Sequence, residues 1–216
     1  MAVPTADLPV MAGLADPTRL APFSSKQGRS GTAEPGEELL QVIIETPRGS
    51  RNKYSYDEDD RMYRLKAALP AGMVFPYDFG FVPQSVGGDG DPLDVLVLMD
   101  EPAFPGCVLL TRLIGVMECE QTEGDKTERN DRFIAVAETT HLYTNLRGIA
   151  DVPEQSLKEI EHFFANYHKL QGRSSRLLAW GDAEAARSLV EQGLEKARKT
   201  ASATAGESAS EEEKAG

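Results

Sequence analysis

Cysteine, histidine and tryptophan are scarce in this chain, which has two, three and one of them among 216 residues. The two cysteines, Cys107 and Cys119, show no Cys-x-x-Cys spacing. Two isolated cysteines exclude a disulfide framework and the usual zinc site, and they are typical of proteins that fold in a reducing compartment. We therefore predict two structural thiols and a cytoplasmic location.

Basic residues and long apolar runs are also in short supply. The chain has 23 Lys and Arg against 35 Asp and Glu, for a formal net charge of -12. Such an acidic protein repels a phosphate backbone, which argues against nucleic acid as a partner. No apolar run approaches the roughly 20 residues of a membrane helix, and the N-terminus lacks the basic and apolar regions of a secretory signal. We expect no membrane among its partners.

Composition divides the chain into a body and two tails. Residues 1–37 are rich in Pro, Gly, Ala and Ser and show no sustained apolar period. They predict a flexible N-terminal arm, pinned to the body by Leu14 or Phe23. Residues 200–216 are small, polar and acidic, which predicts a disordered tail. A single domain is expected over residues 38–199.

Short apolar segments with turn residues between them fill the first part of the body. The predicted strands are residues 39–45, 53–56, 61–66, 94–99, 107–117 and 133–137. Short strands at this density predict a small closed or nearly closed β-barrel.

The last third of the body changes period. Leu157, Ile160, Phe164 and Tyr167 recur at spacings of three and four, which predicts an amphipathic helix with Gly172 as its stop. Asp182 is a candidate cap for a second helix. Strands that come first and helices that come later predict an α+β fold, a barrel with two helices packed on it.

Residues 88–97 read GDGDPLDVLV and carry three carboxylates within six residues. Gly90 permits a tight turn, and Asp94 opens an apolar strand. Carboxylates so close together repel each other unless a cation compensates them, and oxygen ligands favour a hard ion, Mg²⁺ or Mn²⁺. A solvated acidic turn is the other interpretation that the residues allow. An EF-hand calcium loop does not fit, because it needs glycine where Asp94 stands.

The same run, DGDPLDVLV, closely resembles the signature of the family I soluble inorganic pyrophosphatases. Further segments match the family in the family's order. Before the signature stand ETP at 45–47, KY at 53–54 and FPYDFGF at 75–81; after it stand PG at 105–106, IGV at 114–116, DRFIAV at 131–136 and HFF at 162–164. The resemblance covers residues 39–195.

This resemblance implies a fold, a reaction and a set of site residues. It implies a five-stranded, OB-like β-barrel with two flanking helices, Mg²⁺-dependent hydrolysis of pyrophosphate to two phosphates, and a homo-oligomer. Asp89 and Asp94 match metal ligands, and Glu45 matches an outer carboxylate. Asp91 matches the acid that accepts the proton of the attacking water. Mn²⁺ is the alternative ion.

Other positions match groups that contact the substrate or a further metal ion. Lys53 and Tyr167 match phosphate-binding groups. In residues 119–132, CEQTEGDKTERNDR, the resemblance implies two aspartates followed by a base. Asp131 is the expected inner metal ligand, and Arg132 replaces the base. The outer metal ligand is open among Glu120, Glu123 and Asp125, of which Glu120 is taken into the predicted set.

Several positions depart from the family pattern: an acid, an arginine, a tyrosine and a lysine are replaced by Ser55, Ala67, Phe79 and His168. The adjacent Lys66 and Lys169 are predicted to contact the substrate instead. The departures leave two alternatives to a pyrophosphatase, namely a hydrolase of another phosphoanhydride and a catalytically silent metal- or phosphate-binding module. The intact Asp91 favours an enzyme, because a binding module needs no base.

Overall fold

The computed structural model describes residues 16–24 and 38–215, with side chains up to residue 203. Most of the predicted N-terminal arm, including Leu14, lies outside these residues. The strands are β1 (Phe23–Ser24), β2 (Leu39–Thr46), β3 (Asn52–Asp57), β4 (Met62–Ala68), β5 (Asp78–Phe81), β6 (Asp94–Leu98), β7 (Val108–Glu123), β8 (Lys126–Arg129), β9 (Arg132–Ala137) and β10 (Ser174–Gly181). The helices are α1 (Glu154–Leu170) and α2 (Ala183–Ala215).

Most strands join one mixed sheet in the order β1-β2-β5-β6-β9-β7-β10, with β8 added to β7. β2 also pairs with β7, so that it has partners on both sides. β3 and β4 form a separate antiparallel hairpin. β6 and β9 run parallel, with Asp94 opposite Arg132. This register places a carboxylate and a cation side by side at the start of two central strands.

The central strands are apolar on both faces because each face has its own core. Leu96 and Ile134 belong to the core that includes α1. Val95 and Phe133 belong to the core that includes α2. Successive side chains of a strand point to opposite faces, so an almost continuous apolar run fills both cores.

Both predicted helices are confirmed, as is the α+β class. Ile160, Phe164 and Tyr167 of α1 lie in the first core, and Gly172 follows the helix with φ +75°. The Asp182 carboxylate caps α2 by accepting the Ala185 N–H at 2.9 Å. Neither helix of the described chain carries an apolar stretch of the length needed to span a bilayer.

The two ends of the described chain add contacts to this body. Phe23 pairs with Leu40 and packs on the second core, with the Arg187 guanidinium 4.9 Å from its ring centroid. Phe23 thus holds the N-terminal segment against the body of the protein, as predicted. At the other end the sequence predicts disorder from residue 200, whereas α2 continues to Ala215. Alanine and glutamate are frequent in this segment and have high helix propensity. A segment whose composition cannot form a core therefore still forms a helix.

Candidate active site

The turn between β5 and β6 presents the carboxylates of the acidic run. Gly90 has φ +95°, a conformation that glycine adopts without strain, and this confirms the predicted tight turn. The Asp91 N–H donates to the Asp89 carboxylate at 3.2 Å, and the Gly87 N–H donates to the Asp91 carbonyl at 2.7 Å. These bonds fix a turn in which Asp91 is exposed and Asp89 is half-buried.

Gly88 brings this turn against the end of β8. A Cβ atom at Gly88 would lie 2.5 Å from the Arg129 carbonyl oxygen and 2.8 Å from the Arg129 Cβ. Only glycine permits such a close approach without a shift of the backbone. The acidic turn is therefore held beside the segment that leads from β8 into β9.

The turn opens onto a cavity of about 730 Å³ whose walls differ in charge. The carboxylates of one wall are Glu45, Asp89, Asp91 and Asp94, and Glu58, Glu123 and Glu128 lie elsewhere in the lining. The cations that line the cavity are Lys53, Lys66, Arg132 and Arg173, and α1 adds Tyr167 and His168. A cavity with this division of charge suits an anionic ligand that is bound together with cations.

Glu45 lies at the end of β2 with 8% of its surface exposed. Its carboxylate accepts the Tyr56 N–H at 2.7 Å and the Ser55 hydroxyl at 3.2 Å. Burial raises the pKa of Glu45 to about 7, and the Asp94 carboxylate adds to the shift. Ser55, which stands where the family resemblance implies an acid, thus supports the neighbouring carboxylate.

Asp94 and Arg132 form a largely buried ion pair, with 3.0 Å between Oδ2 and Nη1. Their side chains are 23% and 5% exposed, and the Arg132 guanidinium lies 5.1 Å from the Phe164 ring centroid. Burial raises the pKa of Asp94, and Arg132 opposes that shift. Burial and the Asp94 charge also raise the pKa of Asp89. The negative charges of Asp94 and Asp89 are therefore only partly balanced by protein groups. Additional positive charge nearby favours the ionised forms of both carboxylates.

Lys53 on β3 faces the aromatic side of the cavity. Its Nζ lies 5.4 Å from the Tyr167 ring centroid and 5.5 Å from that of Phe79. Phe79 lacks the hydroxyl that the family resemblance implies, but its ring still contacts the ammonium group. The two rings hold the Lys53 charge at the cavity through cation–π contacts.

The structure does not bring three of the predicted site residues to the cavity. Asp131 accepts the Cys119 N–H at 2.9 Å and lies 3.0 Å from an Arg129 Nη atom. Glu120 pairs with Arg176 of β10 at 2.7 Å. Lys169 lies on the exposed side of α1. The carboxylates of Asp131 and Glu120 connect strands, and protein groups already balance their negative charge.

Several cavity residues were not predicted from the sequence, among them Gln121, Asn130 and Arg173. Arg173 follows Gly172 and pairs with Glu123, also a cavity residue, at 2.8 Å. No motif marks Arg173. For Gln121 and Asn130 the only signal in the sequence is the alternation of side chains along the β7–β8 hairpin. Which of these side chains face the cavity depends on the residue at which the hairpin turns.

His168 is buried in the wall that α1 contributes. It is 4% exposed, and its Nδ1 atom has no hydrogen-bond partner in the described part of the chain. Burial, together with the positive charges of Arg132 and Lys53, lowers the pKa of His168 to about 3. The ring is therefore neutral in the folded protein at neutral pH, unlike the lysine that the family resemblance implies there.

We expect this histidine to make stability depend on pH between about 6.5 and 3. In this window the unfolded chain binds a proton at His168 that the folded chain does not, so stability falls as the pH falls. Between pH 7 and pH 5 the wild type should lose about 2 kcal/mol more unfolding free energy than a His168→Gln variant.

Urea unfolding at both pH values measures this difference. His162→Gln, which changes an exposed histidine of the same helix, is the matched control, and it should follow the wild type. Equal pH slopes for His168→Gln and the wild type would contradict the buried neutral state of His168.

The donor chemistry of the acidic wall fits a hard cation, because oxygen atoms of under-compensated carboxylates are its preferred ligands. In the described chain, however, no three Asp, Glu, His or Cys side chains converge closely enough to hold one metal ion. Mg²⁺ commonly binds through one or two carboxylates and takes its other ligands from water and phosphate. The acidic wall fits this mode of binding.

Several known proteins described as inorganic pyrophosphatases resemble this chain. A family model described as "Inorganic pyrophosphatase" matches residues 42–198. An inorganic pyrophosphatase of Synechocystis sp. is 39% identical over 160 residues, 74% of this chain and 92% of that protein. One of Leifsonia xyli is 40% identical over 154 residues, 71% of this chain and 92% of that protein. The crystal structure of the Thermus thermophilus inorganic pyrophosphatase aligns with a TM-score of 0.69 at 34% identity, over 78% of this chain and 96% of that one.

Proposed function

Because this chain belongs to the inorganic pyrophosphatase family, we propose that it hydrolyses inorganic pyrophosphate to two phosphates. One observation carries the proposal: the carboxylates of the acidic turn and the cations Lys53 and Arg132 line the same cavity. A multiply charged anion needs cations around it, and the attack of water needs a base beside it.

Asp91 is the proposed general base. Its carboxylate lines the cavity and is exposed on a turn that its own backbone bonds hold in place. A water oxygen forms a bond to one phosphorus while the bond from that phosphorus to the bridging oxygen breaks. The proton of the water passes to Asp91, and the leaving phosphate keeps the electron pair of the broken bond.

Lys53, Lys66, Arg132 and Tyr167 are the proposed phosphate-binding groups, and Arg173 joins them. They come from β3, β4, β9, α1 and the segment after α1, and all line the cavity. Cations that surround the phosphates neutralise the charge that develops on the leaving group. We leave Lys169 out of this set because it does not line the cavity.

Mg²⁺ is the proposed cofactor, with Mn²⁺ as the alternative, and Asp89, Asp94 and Glu45 would hold it. When bound, the ion supplies positive charge to phosphate oxygens and lowers the pKa of a bound water. The raised pKa values of these three carboxyl groups support the assignment, because each gains by the approach of a cation. Asp131 and Glu120 are left out because they pair with protein groups away from the cavity.

The test is phosphate release from pyrophosphate by the purified protein. We expect release in the presence of Mg²⁺, loss of release when a chelator removes the ion, and recovery when Mg²⁺ is restored in excess. A folded protein that releases no phosphate with either Mg²⁺ or Mn²⁺ would contradict the proposal.

That negative result would direct attention to the two alternatives. The small side chains of Ser55 and Ala67 line the cavity and leave room for a larger phosphoanhydride. Release from such a compound would identify the other hydrolase. Phosphate binding without release from any phosphoanhydride would identify a binding module.

Further features of the protein follow as proposals. Residues 38–199 form the catalytic domain, which the family match over 42–198 supports. The strands β2, β5, β6, β9 and β7 form a five-stranded OB-like barrel, which the pairing of β2 with both β5 and β7 supports. The two free cysteines support a cytoplasmic location. A homo-oligomer is carried over from the family resemblance, and light scattering in solution tests it.

A further inference from the structure

Two amide side chains, Gln121 of β7 and Asn130 after β8, stand in the cavity wall where the family resemblance implies acidic metal ligands. The neighbouring carboxylates of Glu120 and Asp131 face away from the cavity and have protein partners. The two positions next to Arg132 therefore carry neutral groups, and the acids of the same hairpin that line the cavity, Glu123 and Glu128, pair with Arg173 and Lys126.

Strand register fixes which side chains face the cavity. Glu120 lies opposite Arg129, and Gln121 lies opposite Glu128. Successive side chains of a strand point to opposite faces. Gln121 and Glu128 therefore face the cavity, and Asn130, two residues after Glu128, faces it as well. A rotamer change cannot bring Asp131 into the cavity, since that would need a shift of the strand by one residue.

Hydrogen-bond chemistry fixes how the two amides are oriented. The Arg132 guanidinium can only donate, so the Asn130 side-chain oxygen faces it and accepts. The Asn130 Nδ2 group is left to donate to the Gln121 Oε1 atom at 3.0 Å. Both amide oxygens already accept protein donors. The Gln121 Nε2 group has no acceptor among the described residues, and it is the free donor of the pair.

We infer that the Gln121–Asn130 amide pair binds a phosphate group through its free N–H donor and that no metal ion binds on this side of the cavity. The inference deepens the proposed function and rests on it, since the phosphate is one half of pyrophosphate or its product. A cation meets amide oxygens that already accept protein donors and is repelled by Arg132, whereas a phosphate oxygen meets both an amide donor and the guanidinium. Bound cations are confined to the acidic wall.

The test measures binding of Mn²⁺ alone and of inorganic phosphate alone by calorimetry, without turnover. Asn130→Asp adds a carboxylate beside Asp94 and Arg132. It should tighten Mn²⁺ binding roughly tenfold or add a bound ion, and it should weaken phosphate binding roughly tenfold. Gln121→Glu should change both affinities in the same direction. It is the variant to measure if Asn130→Asp does not fold.

Asn166→Asp is the matched control, because it adds the same charge at an exposed position of α1 outside the cavity. It should leave both affinities at the wild-type values. Unchanged Mn²⁺ binding in a folded Asn130→Asp or Gln121→Glu variant, or unchanged phosphate binding, would overturn the inference. Because neither measurement involves hydrolysis, a failure here is distinct from a failure to release phosphate from pyrophosphate.

Discussion

Replacement of Asp91 by asparagine should lower kcat for pyrophosphate about 10²–10⁴-fold and leave the protein folded. Asparagine has nearly the same shape as aspartate but cannot accept the proton of the attacking water. The Asp91 side chain is exposed, and the bonds that hold the turn come from its backbone N–H and carbonyl. The thermal midpoint of the variant should therefore stay close to that of the wild type.

A Mg²⁺ titration separates the role of a base from that of a cation ligand. If Asp91 acts as the base, the rate of Asp91→Asn stays low at saturating Mg²⁺. Recovery of the wild-type rate at high Mg²⁺ would show that Asp91 serves to bind the cation and would contradict its assignment. Asp125→Asn, at an exposed acid in the β7–β8 turn outside the cavity, is the control and should retain full activity.

Replacement of Gly80 by alanine should lower the free energy of unfolding by about 3 kcal/mol or more. Gly80 of β5 pairs with Ile44 of β2 and Val95 of β6. A Cβ there would overlap the Ile43 carbonyl oxygen and lie 2.8 Å from the Ile43 carbonyl carbon and 2.9 Å from the Ile44 Cα. All three contacts are with backbone, so the two strands must separate.

Urea unfolding of the variant measures this cost. Gly148→Ala is the matched control, because a Cβ at Gly148 would meet nothing within 4 Å and its φ of -149° suits any residue. Equal stability of the two variants would contradict the close approach of β2 and β5. The effect should extend to the site, because β2 carries Glu45 and β5 leads into the acidic turn.

Local features of the fold follow from the sequence because neighbouring residues decide them. Each of the six predicted strands overlaps an observed one, and α1 falls where the apolar spacing predicts it. β1, β5, β8 and β10 were not predicted. β5 has only four residues, and β10 is largely exposed, so neither shows a period that could be recognised.

The acidic turn could also be predicted from the sequence, because Asp89, Gly90 and Asp91 are adjacent and their geometry is local. The arrangement of the second acidic segment could not be predicted. Its residues 119–132 include five carboxylates, and residue type alone cannot tell which of them reach the cavity.

The sequence by itself determined the family resemblance, the α+β class, the tight turn at Gly90 and the carboxylates around it, since these depend on residue identity over short distances. Only the tertiary structure decided that Gln121 and Asn130, rather than Glu120 and Asp131, face the cavity. It also decided that Arg132 pairs with Asp94, through the parallel register of β6 and β9. The physical reason is that strand pairing sets the face of every side chain in a hairpin, and a shift of one residue would reverse all of them.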